Sequence, residues 1–344
     1  MPTSQFVKPT KSNPIRLALT IGDLTGIGPE VLVKAVARWP RKKSVRILVC
    51  GEAFSLNALA RRFRLPLRFS DLSSLENWEK HADTIPCYFD SKKSFTAATV
   101  HSIELAASMA LEGRVDAVVT APINKAALKK AGFNIPGHTE FLEKLSGTKR
   151  VEMMLVGGPL RVVLVTRHEA IRKVPALVTR ERVEQTILTT LEELRYSFGI
   201  AHPRIAVCSL NPHAGEEGTI GSEELQVIAP AVKRARSLSR AEIHGPLSPD
   251  SLFVEAYRGR YDAVVCMYHD QGLIPLKMIS RGHGVNVTLG LPFVRTSPDH
   301  GTAYDIAGRG VADPGSMMEA LEMAFQIASR RRESRGQSRG RAKR

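Results

Sequence analysis

The amino-acid sequence reads as a doubly wound α/β protein, and three observations carry that reading. Short apolar, β-branched runs alternate with amphipathic helical stretches along most of the 344 residues, the pattern of βα units that builds a parallel sheet. Glycine-rich turns join strand to helix, as in Gly22-Asp23-Leu24-Thr25-Gly26-Ile27-Gly28. Polar side chains collect at the carboxyl ends of the apolar runs, where such sheets bind ligands. The length suits one large or two ordinary domains.

In order, residues 1–13 are polar and expected to be loose. Residues 15–21 form a strand, the glycine turn follows, and Pro29 suits the first turn of a helix continuing through 31–39. This unit can bring backbone N–H groups to a phosphate or nicotinamide, although it matches neither the dinucleotide fingerprint nor the P-loop. Further strands are expected at 45–50, 85–89 and 115–120, with helices at 53–63 and 96–112. The run VDAVVTAP at 115–122 is echoed by YDAVVCMY at 261–268, which marks two equivalent strand positions rather than a repeat architecture. One delivers Asn124 and Lys125 at its end, the other His269 and Asp270.

Gly137-His138-Thr139-Glu140 opens a short helix whose start could hold an anion; Thr139 also suits a simple N-cap. Residues 151–156 and 161–166 pair as a hairpin around Gly157-Gly158-Pro159. A helix at 179–196, a strand at 204–210, a helix at 222–235, a short helix after Gly245-Pro246-Leu247-Ser248-Pro249-Asp250 and a last helix at 317–329 complete the pattern.

Composition excludes several classes. At 43% hydrophobic and 24% charged the chain is globular, and no apolar run approaches the roughly 18 residues that span a membrane. The N-terminus lacks the apolar core of a secretory signal, so a cytoplasmic protein is expected. Cys50, Cys87, Cys208 and Cys266 lie far apart in apolar runs and read as small buried hydrophobes, not as a zinc or redox motif. The net charge of +15 is concentrated at the C-terminus: eight Arg or Lys and one Glu stand in residues 330–344. That tail has no apolar periodicity and is expected to be disordered. It could touch nucleic acid non-specifically, which makes a tail-driven nucleic-acid binder the alternative of another class.

Chemistry is densest between Tyr261 and Gly310. The strand at 261–267 ends in His269, Asp270 and Gln271; Lys277, Asn286 and Arg295 follow, a mix that suits a small phosphorylated or carboxylated substrate. A glycine-punctuated loop, Asp299-His300-Gly301-Thr302-Ala303-Tyr304-Asp305-Ile306-Ala307-Gly308, closes the stretch. His168, His213 and His269 each fall just past a strand, 45 and 56 residues apart, and together would make an open catalytic metal site. His81, His101, His202 and His244 lack this placement and read as structural or surface residues.

At this point the segments GDLTGIGPE, VTAPINK, GHTEFL, LNPHAGE, GPLSPD, YHDQG, GVNVTLGLPFVRTSPDHGTAYDIAG and ADPGSM form a pattern spanning residues 15 to 328. It resembles the 4-hydroxythreonine-4-phosphate dehydrogenase family of pyridoxal phosphate biosynthesis. The resemblance implies a two-domain fold similar to isocitrate and isopropylmalate dehydrogenases, with a cleft between domains. Residues 14–131 with 280–329 would form the cofactor-side domain, and 132–279 the second domain, carrying metal and dimer contacts.

The implied activity is NAD(P)-dependent, divalent-metal-dependent oxidation of 4-phosphooxy-L-threonine, followed by loss of CO2 to 3-amino-2-oxopropyl phosphate. By position His168, His213 and His269 would hold the metal (Zn, Mg or Co). His138, Thr139, Lys277, Asn286 and Arg295 would bind substrate. Asp250 and Asp270 are candidate proton acceptors, with Lys277 beside them as a catalytic candidate. Gly22, Asp23, Gly28, His300, Gly301 and Asp305 would face the cofactor. Asp305 would favour NAD over NADP by accepting from the ribose hydroxyls.

A homodimer sharing its sites is implied as well. Same-family alternatives act on 4-phosphothreonate-like or dihydrodiol substrates. Two stretches depart from the family: Leu24-Thr25 stands where Pro-Ala is usual, and Met278-Ile279-Ser280-Arg281 is unlike the usual run.

Overall fold

A computed structural model describes residues 13–40, 44–81, 83–89, 95–133 and 137–341. The expectation of a loose N-terminus therefore lies almost wholly outside the described residues, as do the last three residues of the tail. Strands β1 (Ile15–Thr20), β2 (Val45–Cys50), β3 (Phe69–Asp71), β4 (Ile85–Tyr88) and β5 (Ala117–Thr120) alternate with helices Gly28–Arg38, Ala53–Arg62 and Phe95–Leu111. A hairpin of β6 (Glu152–Gly157) and β7 (Leu160–Leu164) follows, then β8 (Arg204–Cys208), β9 (Glu242–Leu247) and β10 (Ala263–Cys266). The chain closes with β11 (Val285–Leu289), β12 (Val294–Pro298) and the long helix Gly315–Arg341.

Among the described residues these strands form one 12-stranded sheet, in the order β3-β4-β2-β1-β5-β12-β11-β6-β7-β10-β8-β9. Both outer blocks are parallel, as the βα alternation predicts. Three antiparallel junctions, β12–β11, β11–β6 and β6–β7, lie between them. The two parallel blocks consequently run in opposite senses, and the middle of the sheet is an antiparallel span.

Both faces are covered. On β1, Leu17 and Leu19 join one core and Ala18 the other; on β7, Val163 faces one core and Val162 and Leu164 another. This is why the strands read as continuous apolar runs rather than as alternating ones. Each fully buried aliphatic side chain contributes about 1.5–3 kcal/mol.

The echo between 115–122 and 261–268 extends to hydrogen bonding. Asp116, before β5, accepts from Arg16 N–H at 2.8 Å and Arg16 Nε at 3.3 Å, while Arg16 Nη2 reaches Gly113 O at 2.7 Å. Asp262, before β10, accepts from Arg204 N–H at 2.8 Å and Nε at 3.2 Å, and Arg204 Nη2 reaches Gly259 O at 3.0 Å. The same Arg–Asp clasp thus opens both strands.

Three expectations need correction. Gly137, not Thr139, is the N-cap of helix His138–Ser146; Thr139 is its second residue and is buried. The helix expected at 222–235 begins as a turn of π-helix, Glu224–Ile228, and continues through Ala229–Ser239. The basic tail does not lose structure at 330: the last helix runs on to Arg341. Arg331 is buried, with Nη2 2.9 Å from Glu193 Oε2 and Nε 2.8 Å from Ser197 Oγ. Arg332 reaches Asp116 and the carbonyls of Asn13 and Pro14. Composition sees the charge but not the distant carboxylates that receive it.

Candidate active site

The functional side chains converge over the antiparallel middle of the sheet, around a cavity of about 310 Å3. Thr120 and Lys125 come from the end of β5, His138 and Thr139 from the start of their helix, and His168 from the exit of β7. His269 opens helix His269–Ser280, which brings Lys277 two turns along; Asn286 stands on β11 and Arg295 on β12. His300 and Gly301 line the same cavity. All five residues expected to bind substrate are therefore brought together.

Seven buried side-chain polar atoms lack a partner among the described residues. Four of them, His138 Nε2, Asn286 Oδ1, Arg295 Nε and His300 Nε2, belong to residues lining this cavity. Buried polar atoms are nearly always satisfied, so four together mark a place built for a bound polar group.

Arg295 is the centre of that group. It is 2% exposed and donates from Nη1 to Thr288 Oγ1 at 3.1 Å and from Nη2 to Thr120 Oγ1 at 2.7 Å. Burial pushes its pKa down to about 9, which leaves it charged at neutral pH. A buried guanidinium with hydroxyl partners alone demands an anion. His138 is held neutral: burial, then Arg295, then Lys125 lower its pKa well below the usual range.

His168 and His269 face each other with ring centroids 5.6 Å apart. Burial, followed by the charges of Lys125 and His269, lowers the His168 pKa. His269 Nδ1 lies 2.7 Å from Asp270 Oδ1. A carboxylate oxygen only accepts, so Nδ1 is the donor; in the neutral imidazole this leaves the lone pair on Nε2, the arrangement of an oriented metal-binding histidine. The donor set fits a divalent metal in chemistry. Within one chain, however, it is incomplete. Among the described residues no group of three or more His, Cys, Asp or Glu stands close enough to hold an ion.

His213 does not join the pair. It begins five consecutive left-handed residues, His213, Ala214, Gly215, Glu216 and Glu217, with φ of 52°, 55°, 78°, 46° and 54°. Only one is glycine, and left-handed backbone costs other residues about 1–2 kcal/mol each. Buried Glu224 anchors the approach to this turn, accepting from Leu210 N–H at 2.7 Å and Asn211 N–H at 2.8 Å. Asp250 lies near His213, not in the cavity, and Ser248, then the Ser251 N–H, hold its carboxyl below the usual range. Of the two candidate proton acceptors, Asp270 orients His269, and neither lines the cavity.

The glycine loops pack together. Gly22 takes φ +75° where a Cβ would stand 2.5 Å from Pro122 O, and Gly28 opens the first helix. Asp23 is hydrogen-bonded across to Tyr304, and Asp305 beside it is exposed. A cavity of about 300 Å3 opens next to Asp23, Leu24 and Thr25. Its lining of Asp23, Leu24, Thr25, Thr99, Asn124, Ala127 and Leu128 sets it beside the glycine turn of 22–28, whose backbone N–H groups suit a dinucleotide in chemistry.

Sequence reasoning missed Thr120, Thr288 and Glu140, which lines the cavity and lies 3.2 Å from Arg167 Nη1. The two threonines look like ordinary strand residues; only their pairing with Arg295 across the sheet reveals them. Lys125 was visible at the end of its strand but was not placed in the site.

A wound α/β protein with a buried, anion-seeking arginine beside two neutral histidines is a small-anion enzyme in architecture. The chain belongs to the family of pyridoxal phosphate biosynthetic protein PdxA, whose model matches residues 43–324. It is 47% identical over 326 residues to 4-hydroxythreonine-4-phosphate dehydrogenase of Geobacter metallireducens, covering 91% of this chain and 95% of that one. It is 43% identical over 334 residues to D-threonate 4-phosphate dehydrogenase of Cupriavidus necator, covering 92% and 98%. The crystal structure of the Klebsiella pneumoniae 4-hydroxythreonine-4-phosphate dehydrogenase superposes with a TM-score of 0.80 at 38% identity, covering 91% and 99%. The chain is a dehydrogenase of this family. No helix among the described residues is long and apolar enough to cross a membrane.

Proposed function

We propose that this dehydrogenase oxidises 4-phosphooxy-L-threonine with NAD or NADP, in a divalent-metal-dependent reaction, to 2-amino-3-oxo-4-phosphooxybutanoate. That β-keto acid loses CO2 to give 3-amino-2-oxopropyl phosphate, a step of pyridoxal phosphate biosynthesis in the cytoplasm. The observation that carries the proposal is the set of four unsatisfied polar atoms around buried Arg295.

Arg295 and Lys277 neutralise the anionic ends of the substrate, with the start of the helix at His138 and Thr139. Asn286 Oδ1 accepts from a substrate hydroxyl or ammonium. Asp299 also lines the cavity and supplies a carboxylate for the ammonium. His168 and His269 of one chain, with His213 of a second copy, would hold the metal, which supplies Lewis-acid polarisation of the reacting hydroxyl. Gly22, Gly28 and the loop of His300, Gly301 and Asp305 would hold the cofactor, NAD preferred, which would supply the hydride acceptor. The cavity falls between the two proposed units, 14–131 with 280–329 and 132–279.

A second reading follows from the 43% identity to the D-threonate 4-phosphate enzyme. The two substrates share phosphate, carboxylate and the C3 hydroxyl and differ at C2, ammonium against hydroxyl. Turnover of both by purified protein with each cofactor and with Zn, Mg or Co decides between them. The proposal expects a higher kcat/KM for the ammonium-bearing substrate; the reverse order overturns it.

A further inference from the structure

Loops 22–28 and 299–308 are built into one unit. Ile27 N–H donates to Thr302 O at 2.9 Å. A Cβ on Gly26 would stand 2.8 Å from Thr302 O and 2.9 Å from Thr302 Cβ, so glycine alone admits the approach. Above this contact Tyr304 Oη donates to Asp23 Oδ2 at 2.6 Å. The other oxygen, Oδ1, accepts from Thr25 N–H at 2.9 Å and Thr25 Oγ1 at 2.7 Å.

Both oxygens of Asp23 are therefore engaged by the protein itself, although its place in the glycine turn had marked it as a ligand contact. Asp305, the residue after Tyr304, is the opposite case: it is exposed and makes no hydrogen bond or ion pair among the described residues.

We infer that Asp23 is a strut and Tyr304 a positioning residue: their hydrogen bond latches loop 299–308 onto loop 22–28 and so presents the unpaired Asp305 carboxylate to the ribose hydroxyls of a nicotinamide dinucleotide. The inference rests on the proposed reading that this dehydrogenase uses such a cofactor and that Asp305 receives it. Its physical content is preorganisation. Without the latch, the loop carrying Asp305 must be ordered when the cofactor binds, and that ordering is subtracted from affinity. The latch also gives the hydroxyl of Tyr304, a residue 44% exposed, a fixed partner.

Tyr304→Phe removes one hydroxyl and keeps the ring. Calorimetric binding of NAD to the variant is expected to be roughly threefold to tenfold weaker, the range for one typical hydrogen bond, the charged partner being discounted for exposure. Amide hydrogen exchange at 302–308 is expected to quicken in the cofactor-free protein. Affinity for the phosphorylated substrate should stay unchanged. Thr25→Ala, which leaves the Thr25 N–H in place, should move NAD binding in the same direction by less.

Asp305→Ala separates the two levels of the argument. Loss of NAD affinity in Asp305→Ala, with wild-type NAD affinity and exchange in Tyr304→Phe, overturns the latch and spares the cofactor reading. Unchanged NAD affinity in Asp305→Ala overturns that reading, and the inference with it.

Discussion

Arg295 and Thr120 meet across neighbouring parallel strands, Nη2 donating to Oγ1 at 2.7 Å, and among the described residues no carboxylate shares the guanidinium's hydrogen bonds. The folded chain thus carries a buried positive charge that the Glu140 carboxylate, lining the same cavity, eases without hydrogen-bonding to it, which leaves room for a bound anion.

Such a charge costs stability until an anion arrives. Arg295→Met should leave the ligand-free melting temperature unchanged or higher, because a similar volume is kept and the desolvated charge is removed. The same change should raise KM for the phosphorylated substrate by about tenfold to a hundredfold or more and abolish the thermal shift on adding substrate. A large drop in ligand-free stability would show that the guanidinium is structural instead.

The positions of the three histidines dictate which inactive chains can repair each other. His168 and His269 sit in one chain with ring centroids 5.6 Å apart, and His213 lies elsewhere. If His213 is supplied by a second copy, mixed dimers of His213→Ala with His168→Ala should regain activity and bind about half the normal metal. Mixtures of His168→Ala with His269→Ala should stay inactive, since every site lacks one of the pair. The converse pattern would place His168 and His269 in different sites.

Acid should weaken the fold through His138. Its folded pKa is depressed, burial leading and Arg295 and Lys125 following, whereas an unfolded histidine takes up a proton near pH 6.5. Between these values the unfolded chain binds more protons. Stability is therefore fully present above about 6.5 and falls as pH drops toward the folded value. His168 acts in the same direction. Urea denaturation between about pH 7.5 and pH 5 should show this slope in the wild type and a shallower one in His138→Gln; equal slopes would remove His138 from the account.

The end of the last helix divides into a part the fold needs and a part it does not. Arg331 pairs with Glu193, which also accepts from Gly290 N–H at 3.1 Å. Arg331→Ala leaves that carboxylate buried without its cation and should cost on the order of 3 kcal/mol in chemical denaturation. Deleting residues from 336 onward should cost far less. Equal effects of the two changes would contradict the role given to the ion pair.

Much of the fold was legible because local signals and tertiary structure agree. β2 spans the residues its apolar run marks, and the hairpin turns within the expected Gly157-Gly158-Pro159, at Gly158-Pro159. The antiparallel β11 and β12 were hidden inside a stretch read for its chemistry, and helix His269–Ser280 was masked by Gly272 and Pro275. At the site, the mix of side-chain types after the strand at 261–267 singled out Arg295, Asn286 and Lys277, although the strands that carry the first two were not foreseen. His213 stands apart from the other two histidines, in a left-handed turn that no sequence pattern announces. Thr25, at a departure from the family's usual Pro-Ala, acquires a meaning only beside Asp23, to which its hydroxyl donates.

The left-handed turn at His213–Glu217 should leave an inverted mark in a saturation mutagenesis map. In most folded segments glycine is among the poorly tolerated substitutions, because it loosens the unfolded chain. Here Ala214, Glu216 and Glu217 hold φ of 55°, 46° and 54°, a region glycine enters without steric cost. At these three positions glycine should score as well as or better than the native residue for fold retention, and β-branched residues should score worst. The tolerance profile would then map where the chain has accepted backbone strain beside His213.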